Sequence, residues 1–287
     1  EGVVVREDLG FETAVAQASV ALMSELEAQA RIDEAWAISQ TAYPRARAAL
    51  GADHPDTLTA QHNHAALMKY RGDLAAAETL AREVHERRSA ALGATHPLTL
   101  YSHNQLGGIL DRLGRFAEAE AIYRATWDAR RDALGERHPS TLGTLNNLSA
   151  ALIQQGKLGE AQPLLERLVD GTRERYGAEA PRSLMAMNQR AYVLEDLGDL
   201  DGAERQLREV VAALAADPGN LHPERIAPRS NLAMLLSRRG QHDEAIQTIE
   251  TVVADTVATV GDQHPYVGIF RSNYGAILAA AGREADA

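Results

Sequence analysis

Proline recurs in this chain at a fixed interval of 42 residues, and this feature constrains the fold more than any other. The prolines in this register are Pro55, Pro97, Pro139, Pro181, Pro223 and Pro265. One glycine stands four residues before each of them, and another stands seventeen residues after. Two fixed glycines per interval indicate two chain reversals per unit. The chain is therefore predicted to be a stack of similar small units, which needs no single central core.

Both reversals have the residues of helix ends. The first reads Leu-Gly-Ala-Asp-His-Pro at 50–55 and Leu-Gly-Ala-Thr-His-Pro at 92–97. Glycine just past a helix end takes the left-handed conformation without a Cβ clash, and proline is tolerated in the next helix's first turn. The second reversal, as at Gly114, follows an apolar run and precedes acidic residues, which the macrodipole favours at a helix start. Each unit is predicted to be a pair of helices.

Side chains between the reversals support an all-α fold. Apolar residues recur at helical spacing, and no stretch alternates apolar and polar residues for long. Small residues, which let paired helices approach to about 8 Å, form two columns. One column is Ala65, Gly107, Ser149, Ala191, Ala233 and Gly275, and the other is Ala77, Ala119, Ala161, Ala203, Ala245 and Ala287.

This pattern resembles the tetratricopeptide repeat, in which a small residue is followed seven residues later by glycine and five after that by alanine, as in Ala65, Gly72 and Ala77. The 42-residue unit, with its Leu-Gly-x-x-His-Pro-x-Thr-Leu and Leu-Asn-Asn-Leu segments, is similar to the long-helix repeats of kinesin light chain. HEAT and armadillo repeats have this length too, but the small–Gly–Ala spacing favours the tetratricopeptide interpretation. The resemblance implies a right-handed superhelical solenoid of antiparallel helix pairs, with about seven repeats, the last incomplete.

The predicted organisation is an N-terminal extension at 1–10 and a single solenoid at 11–287. Its repeats are expected at approximately 11–50, 51–92, 93–134, 135–176, 177–218, 219–260 and 261–287, the last partial. Because the chain begins at Glu1 and stops inside a repeat, we expect it to be a piece of a longer protein. The incomplete terminal repeat would then invite self-association through its apolar face.

Four positions depart from the register. The first repeat has Thr13 in the proline column and Ala30 in the glycine column, so it is interpreted as a modified cap. Pro44 is expected to kink or break the second helix of that repeat. Pro228 is expected to delay the first helix of the sixth repeat until Ala227.

Composition excludes several classes of function. The 40 acidic and 29 basic residues give a net charge of -11, which is not the basic footprint of a nucleic-acid-binding protein. The absence of cysteine excludes disulfides, cysteine-based zinc sites and thiol nucleophiles. No apolar stretch has the length of a membrane span, and the first ten residues lack the pattern of a signal peptide. We expect a soluble, cytoplasmic chain that binds neither nucleic acid nor membrane.

The candidate chemical sites have structural explanations. Histidine precedes the register proline at His54, His96, His138, His222 and His264. Repeats stack about 10 Å apart, whereas zinc ligands lie about 2 Å from their metal, so this column is predicted to be structural. Asp199-Leu200-Asp201-Gly202 lies at an ordinary reversal and lacks the remaining ligands of a calcium loop. With no phosphate loop, nucleophile elbow or His-Glu-x-x-His segment, neither a cofactor nor catalysis is predicted.

Arginines cluster near the ends of the second helices. They are Arg87, Arg88, Arg130, Arg131, Arg173 and Arg175. Because cations there complement the helix macrodipole, a solvated face is favoured over an anion site.

Polar residues recur seven and eight positions after the register proline. The pairs are His62-Asn63, Asn104-Gln105, Asn146-Asn147, Asn188-Gln189, Ser230-Asn231 and Ser272-Asn273. The resemblance implies that first helices line the concave surface through positions four, seven, eleven and fourteen after the proline, one stripe of a helix. The predicted peptide-binding groove comprises His62, Asn104, Asn146, Asn188, Ser230, Tyr101, Tyr192, Met185, Met234 and Lys69. Bonding of these amides within or between repeats remains open, more so for the second column than for the first.

The leading hypothesis is a module that holds an extended peptide in this groove. Amides can donate to and accept from a peptide backbone of any sequence, and Asn104, Asn146 and Asn188 would form a ladder along it. Similar arrays occur attached to bacterial signalling kinases and regulatory ATPases, which favours the recognition or regulatory part of a larger signalling protein. The alternative is a structural or oligomerisation scaffold with no free peptide ligand. An enzyme is not expected.

Overall fold

A computed structural model of the chain describes residues 13–14, 17–19, 21, 25, 31–215 and 223–283. The predicted extension at 1–10, the glycine-column Ala30, the reversal at Gly219 with His222, and Ala287 lie outside these residues. Within the described ranges every regular element is a helix, which confirms the all-α prediction. None of these helices combines the length and apolarity of a membrane span.

The register prolines begin every second helix, as the sequence predicts. The helices are α1 (Ile32–Leu50), α2 (Pro55–Arg71), α3 (Leu74–Leu92), α4 (Pro97–Arg112), α5 (Phe116–Leu134), α6 (Pro139–Gln154), α7 (Leu158–Tyr176), α8 (Pro181–Asp196), α9 (Leu200–Ala215), α10 (Pro223–Arg238), α11 (His242–Val260) and α12 (Pro265–Ala280).

The chain divides into two compact units between Ala151 and Leu152, inside α6. In the first unit, α2 packs between α1 and α3, and α4 packs between α3 and α5. In the second unit, α8 packs between α7 and α9, and α11 packs between α10 and α12. Each unit is therefore built from contacts between helices that are neighbours in the chain.

Alanine and glycine lie at the close helix crossings. Ala77, Ala119, Ala161, Ala203 and Ala245 have no exposed surface, as expected for the alanine column. Gly107 of the other column is equally constrained, because an added Cβ would lie 2.7 Å from Cε1 of Tyr123. These small residues let the apolar faces of paired helices meet without a gap.

The two reversals use glycine differently. Gly72 has φ 86° and ψ 4°, the left-handed helical conformation. At the first reversal, Gly93 has φ 91° and ψ 156°, and Gly135 has φ 87° and ψ 160°. The left-handed cap predicted for the first reversal is thus wrong in ψ, because the chain must leave the helix in an extended direction to reach the histidine before the next helix. That backbone region is essentially restricted to glycine.

The histidine before the register proline caps the following helix. In His54, His96, His138 and His264, Nδ1 accepts a hydrogen bond from the backbone N–H two residues later at 3.1 to 3.3 Å. The imidazole thereby satisfies one of the donors that a helix start leaves unpaired. No group of three or more metal-ligating side chains comes together within the described part of the chain.

Neither proline interrupts its helix, contrary to the break expected at Pro44 and the late start expected at Pro228. Pro44 lies inside the unbroken helix α1, on an exposed side where the freed carbonyl of Gln40 can bond to water. Pro228 lies inside α10, which begins at Pro223 and not at Ala227. Pro228 is the sixth residue of α10, so it lacks the N–H that would bond to the backbone carbonyl of Glu224. The helix continues with that one hydrogen bond missing.

Candidate functional site

The candidate site is the set of side chains four, seven, eleven and fourteen residues after the register proline, called here the groove stripe. It comprises Thr59, His62, Ala66 and Lys69 in α2, Tyr101, Asn104, Gly108 and Asp111 in α4, and Met185, Asn188, Tyr192 and Glu195 in α8, with the matching residues of α6, α10 and α12. These spacings place the members of each set on one side of their helix.

The groove stripe exposes large apolar side chains. Tyr101 is 55% exposed, Met185 is 60% exposed and Tyr192 is 48% exposed. Met234 and Lys69 are partly buried. Exposed apolar groups that share one helix face, such as Met185 and Tyr192 in α8, are the kind of surface that a partner covers.

The three asparagines of the groove stripe are partly buried, and two of them use their side-chain oxygens within the fold. Asn104 Oδ1 accepts a hydrogen bond from Thr144 Oγ1 at 3.1 Å, and Asn188 Oδ1 accepts one from Asn231 Nδ2 at 3.0 Å. The side-chain nitrogens of both asparagines have no partner among the described residues, and Asn146 makes no side-chain bond to them. These positions therefore offer N–H donors to a ligand.

His62 and Ser230, which the sequence places in the groove, lie beneath the surface. They are 3% and 1% exposed. Burial lowers the pKa of His62 to about 3, and the nearby charges of Arg88 and Lys69 lower it further. In this conformation the two residues contact neighbouring repeats.

The second polar column joins successive repeats, the alternative that the sequence left open. Gln105 Nε2 donates to the backbone oxygen of His62 at 2.8 Å, and Asn273 Nδ2 donates to Ser230 Oγ at 3.0 Å. The Asn231–Asn188 bond has the same spacing of 43 residues. These amides therefore fix the register between adjacent first helices.

Arg88 and Arg130 are functional candidates that the sequence argument assigned to a solvated face. They are only 2% and 6% exposed, so the predicted solvated face is wrong for both. It holds for their neighbours, because Arg87 pairs with Asp53 and Arg131 pairs with Asp128. The sequence does contain an indication of this burial. The same register position holds small or hydroxyl-bearing side chains in other repeats, and these are also buried: Ala46, Thr172 and Thr256.

Backbone and hydroxyl oxygens hold the buried guanidinium groups. Arg130 donates to the carbonyl oxygens of Ser140 (3.0 Å) and Leu100 (3.3 Å) and to Thr144 Oγ1 (2.6 Å). Arg88 donates to the carbonyl oxygen of Leu98 at 3.2 Å and to Thr59 Oγ1 at 3.4 Å. Burial lowers the pKa of both arginines. Each arginine thus links a second helix to the first helices on either side of it.

A pair of histidines lies between α3 and α4. The rings of His85 and His103 stack with their centroids 4.2 Å apart, and Thr126 Oγ1 is 3.0 Å from His103 Nδ1. Burial lowers the pKa of His103 to about 4, and the neighbouring His85 adds to the effect. These rings are therefore neutral near pH 7.

An open cavity of about 470 Å³ lies between α7, α8 and α9 in the second unit. Its charged side chains largely pair with one another. Arg190 bonds to Glu166 at 3.2 Å and to Gln206 at 2.9 Å, and Arg173 bonds to Glu209. Because these charges are already compensated, the cavity has less to offer a ligand than the groove stripe.

Comparison of the sequence with protein families gives one family over most of the chain. The model described as tetratricopeptide repeat matches the overlapping ranges 17–88, 56–132, 103–174, 140–216 and 182–254. No curated protein matches the chain.

Solved structures share the fold at low sequence identity. BtubC (BKLC) from P. vanneervenii has a TM-score of 0.64 and 20% identity, covering 90% of this chain and 94% of that one. The nearly identical TPR-like repeats of a Podosopora anserina protein assigned to the kinesin light chains give 0.63 and 22%, covering 72% and 98%. PilF of Pseudomonas aeruginosa gives 0.60 and 14%, covering 91% and 98%.

Proposed function

Since the chain belongs to the tetratricopeptide repeat family, as its 42-residue register predicted, we propose that the groove stripe binds an extended segment of a partner protein. Repeats of this family mediate protein–protein interaction and are non-catalytic scaffolds. The observation that carries the proposal is the combination of exposed Tyr101, Met185 and Tyr192 with unpaired amide nitrogens beside them. This combination suits a ligand with apolar side chains and an accessible backbone.

The amides determine which hydrogen-bonding groups of the ligand are recognised. Because the oxygens of Asn104 and Asn188 already accept bonds within the fold, their nitrogens donate to carbonyl oxygens of the ligand. Asn146 adds a further donor in the first unit. Repeats about 10 Å apart and an extended backbone rising about 3.3 Å per residue bring every third ligand residue opposite a repeat. Between these contacts, ligand side chains are received by Tyr101 in the first unit and by Met185, Tyr192 and Met234 in the second.

We place this chain in the recognition or regulatory part of a larger cytoplasmic signalling protein, binding no nucleic acid, membrane or cofactor. The second candidate is a scaffold whose groove stripe is covered by another copy of the chain. The two proposals differ in concentration dependence: a scaffold that self-associates buries Tyr101 as the protein concentration rises, whereas a peptide receptor buries it when peptide is added.

The test begins with selection from a library of random peptides about seven residues long, followed by titration of a selected peptide. Asn146→Ala is expected to weaken binding by about 1 kcal/mol, the net value of one hydrogen bond. It should change the free energy of unfolding by less than about 0.5 kcal/mol, as at other sites without partners. Gln40→Ala, an exposed amide of α1 outside the groove stripe, should change neither.

The opposite pattern would remove the proposal's main support. If Asn146→Ala costs about 1 to 3 kcal/mol of stability and leaves binding unchanged, the amide column is structural. If the library yields no binder, the scaffold becomes the better explanation.

A further inference from the structure

The groove stripe differs in charge along the chain, and buried arginines lie near Tyr101. Arg88 comes from the second helix of the repeat before Tyr101, and Arg130 from the second helix of its own repeat. Both guanidinium groups reach the first turns of α4, where Arg88 bonds to the carbonyl oxygen of Leu98 and Arg130 to that of Leu100, the residue before Tyr101. Two buried cations therefore lie close to one exposed tyrosine.

Neither arginine has a carboxylate partner in the described part of the chain. The bonds of Arg88 and Arg130 go to carbonyl and hydroxyl oxygens, and no acidic side chain raises the pKa of either. Burial of a cation without a counter-charge is costly. The chain has an excess of acidic residues, with a net charge of -11, yet none of them is placed as a counter-charge to these two arginines in the described part of the chain.

A third neighbour of Tyr101, the neutral imidazole of His62, lies in the same positively charged surroundings. The ring of His62 lies 4.5 Å from the Tyr101 ring, centroid to centroid. His62 is 3% exposed, and its Nδ1 has no hydrogen-bond partner. The positive charges of Arg88 and Lys69 both act on this ring. The side chains around Tyr101 thus combine donors and positive charge.

The second unit provides an internal contrast. Met185 occupies in α8 the position that Tyr101 occupies in α4, and it is equally exposed. The residues in the register of Arg88 and Arg130 are there Thr172 and Leu214, which carry no charge. The basic character therefore belongs to the Tyr101 position and not to the repeat pattern as such.

We propose that the Tyr101 position is an anion subsite, which takes an acidic side chain of the bound segment. The anionic group lies against the Tyr101 ring, where Asn104 one helical turn away can donate its side-chain N–H directly. Arg88 and Arg130 supply the balancing charge from beneath, through space. The inference rests on the proposed function, because it assigns a specificity to that same groove stripe. A carboxylate and a phosphorylated side chain share this chemistry.

The experiment uses the whole chain and a peptide selected from the random library. Three versions of the peptide are titrated by fluorescence anisotropy: the selected one, one with glutamine for its acidic residue, and one with phosphoserine there. The glutamine version should bind about tenfold more weakly, because the corresponding loss of about 1.4 kcal/mol lies between the values of a close charge pair in bulk water and near a protein surface. The phosphoserine arm shows which anion is preferred.

Protein variants link that preference to the buried arginines. Arg88→Gln should reduce the tenfold difference between the acidic and glutamine peptides to about twofold, while Arg88→Lys, which keeps the charge, should retain it. Arg82→Gln makes the same charge change on the outer side of α3 and should leave the preference intact. If Arg88→Gln does not fold, Asn104→Asp serves instead, because a negative charge at the subsite should weaken the acidic peptide about tenfold more than the glutamine peptide.

Two results would overturn the anion subsite alone. One is a set of selected peptides that bind tightly without any acidic residue, and the other is an acidic preference that persists in full in Arg88→Gln. Either result refutes the subsite and leaves the proposed function standing. If no peptide binds the chain at all, both proposals fail together.

Discussion

At the scale of single residues, Gly107 and Gly108 are neighbours with opposite requirements. A Cβ on Gly107 would lie 2.7 Å from Tyr123 Cε1, whereas a Cβ on Gly108 would meet its nearest atom, Tyr123 Oη, at 3.5 Å. The first glycine is required by packing between α4 and α5. The second has room for a side chain.

Gly107→Ala is therefore expected to cost about 1 to 3 kcal/mol of unfolding free energy, as for overpacking in a core. Gly108→Ala, its matched control, should be neutral or stabilise by up to about 1 kcal/mol, because alanine is the better helix former. Urea denaturation of both variants measures the difference. Equal stabilities would mean that Tyr123 moves aside without cost.

His103 predicts how stability depends on pH. Its pKa falls from the ordinary value near 6.5 to about 4 in the fold. Between these two pKa values His103 is protonated in the unfolded chain and neutral in the folded chain. Stability is therefore lost as the pH drops below about 6.5, and the loss levels off near the folded pKa of about 4. One such group accounts for about 1 to 2 kcal/mol between pH 7.5 and pH 5.

His103→Asn should remove that share of the pH dependence. The remaining pH dependence comes from His62, His64 and His85, whose pKa values are also lowered. Urea denaturation at about pH 7.5 and pH 5 measures the change for both proteins. The same loss of stability on acidification in the variant and the parent chain would show that His103 does not contribute.

At the scale of elements, the reversals separate two uses of glycine that look identical in the sequence. Gly72 and Gly93 both end a helix with positive φ, but ψ is 4° in the first and 156° in the second. Asparagine tolerates the left-handed helical region, whereas the region of Gly93 is essentially closed to any side chain.

We expect Gly93→Asn to cost about 1 to 3 kcal/mol of stability and Gly72→Asn to cost less than about 1 kcal/mol. No atom lies within 4 Å of a Cβ at either position, so the comparison reports backbone strain alone. Thermal or urea denaturation of the two variants provides the measurement. A larger loss for Gly72→Asn would contradict the assignment.

Helix positions were predictable because reversals obey local rules, whereas the neighbours of the groove stripe depend on packing between repeats. The register placed the helix starts at the prolines and the small residues at the crossings. It did not separate Arg87 from Arg88, which lie side by side in the sequence, because burial depends on which side of α3 meets α2 and α4. It also missed how α1 tolerates Pro44, since packing of the whole helix outweighs one missing bond.

At the scale of the molecule, contacts within each described unit run between successive helices, with a few to the next first helix. In such arrays, stability is close to a sum of terms for each repeat and for each interface between neighbours. A local defect should then open its own neighbourhood at a lower free energy than distant helices. The Gly107–Tyr123 contact between α4 and α5 is a suitable place to introduce one.

Gly107→Ala should accelerate backbone amide exchange in α3, α4 and α5 by about fivefold to a hundredfold, the equivalent of its loss of about 1 to 3 kcal/mol. Exchange in α11, which belongs to the second unit and packs against α10 and α12, should stay within about twofold of the parent chain. Gly108→Ala controls for the substitution itself and should accelerate neither region. Hydrogen–deuterium exchange read by mass spectrometry resolves these helices as separate peptides. Equal acceleration in α4 and α11 would show that the chain opens as one cooperative body, and the nearest-neighbour description would then be wrong for this protein.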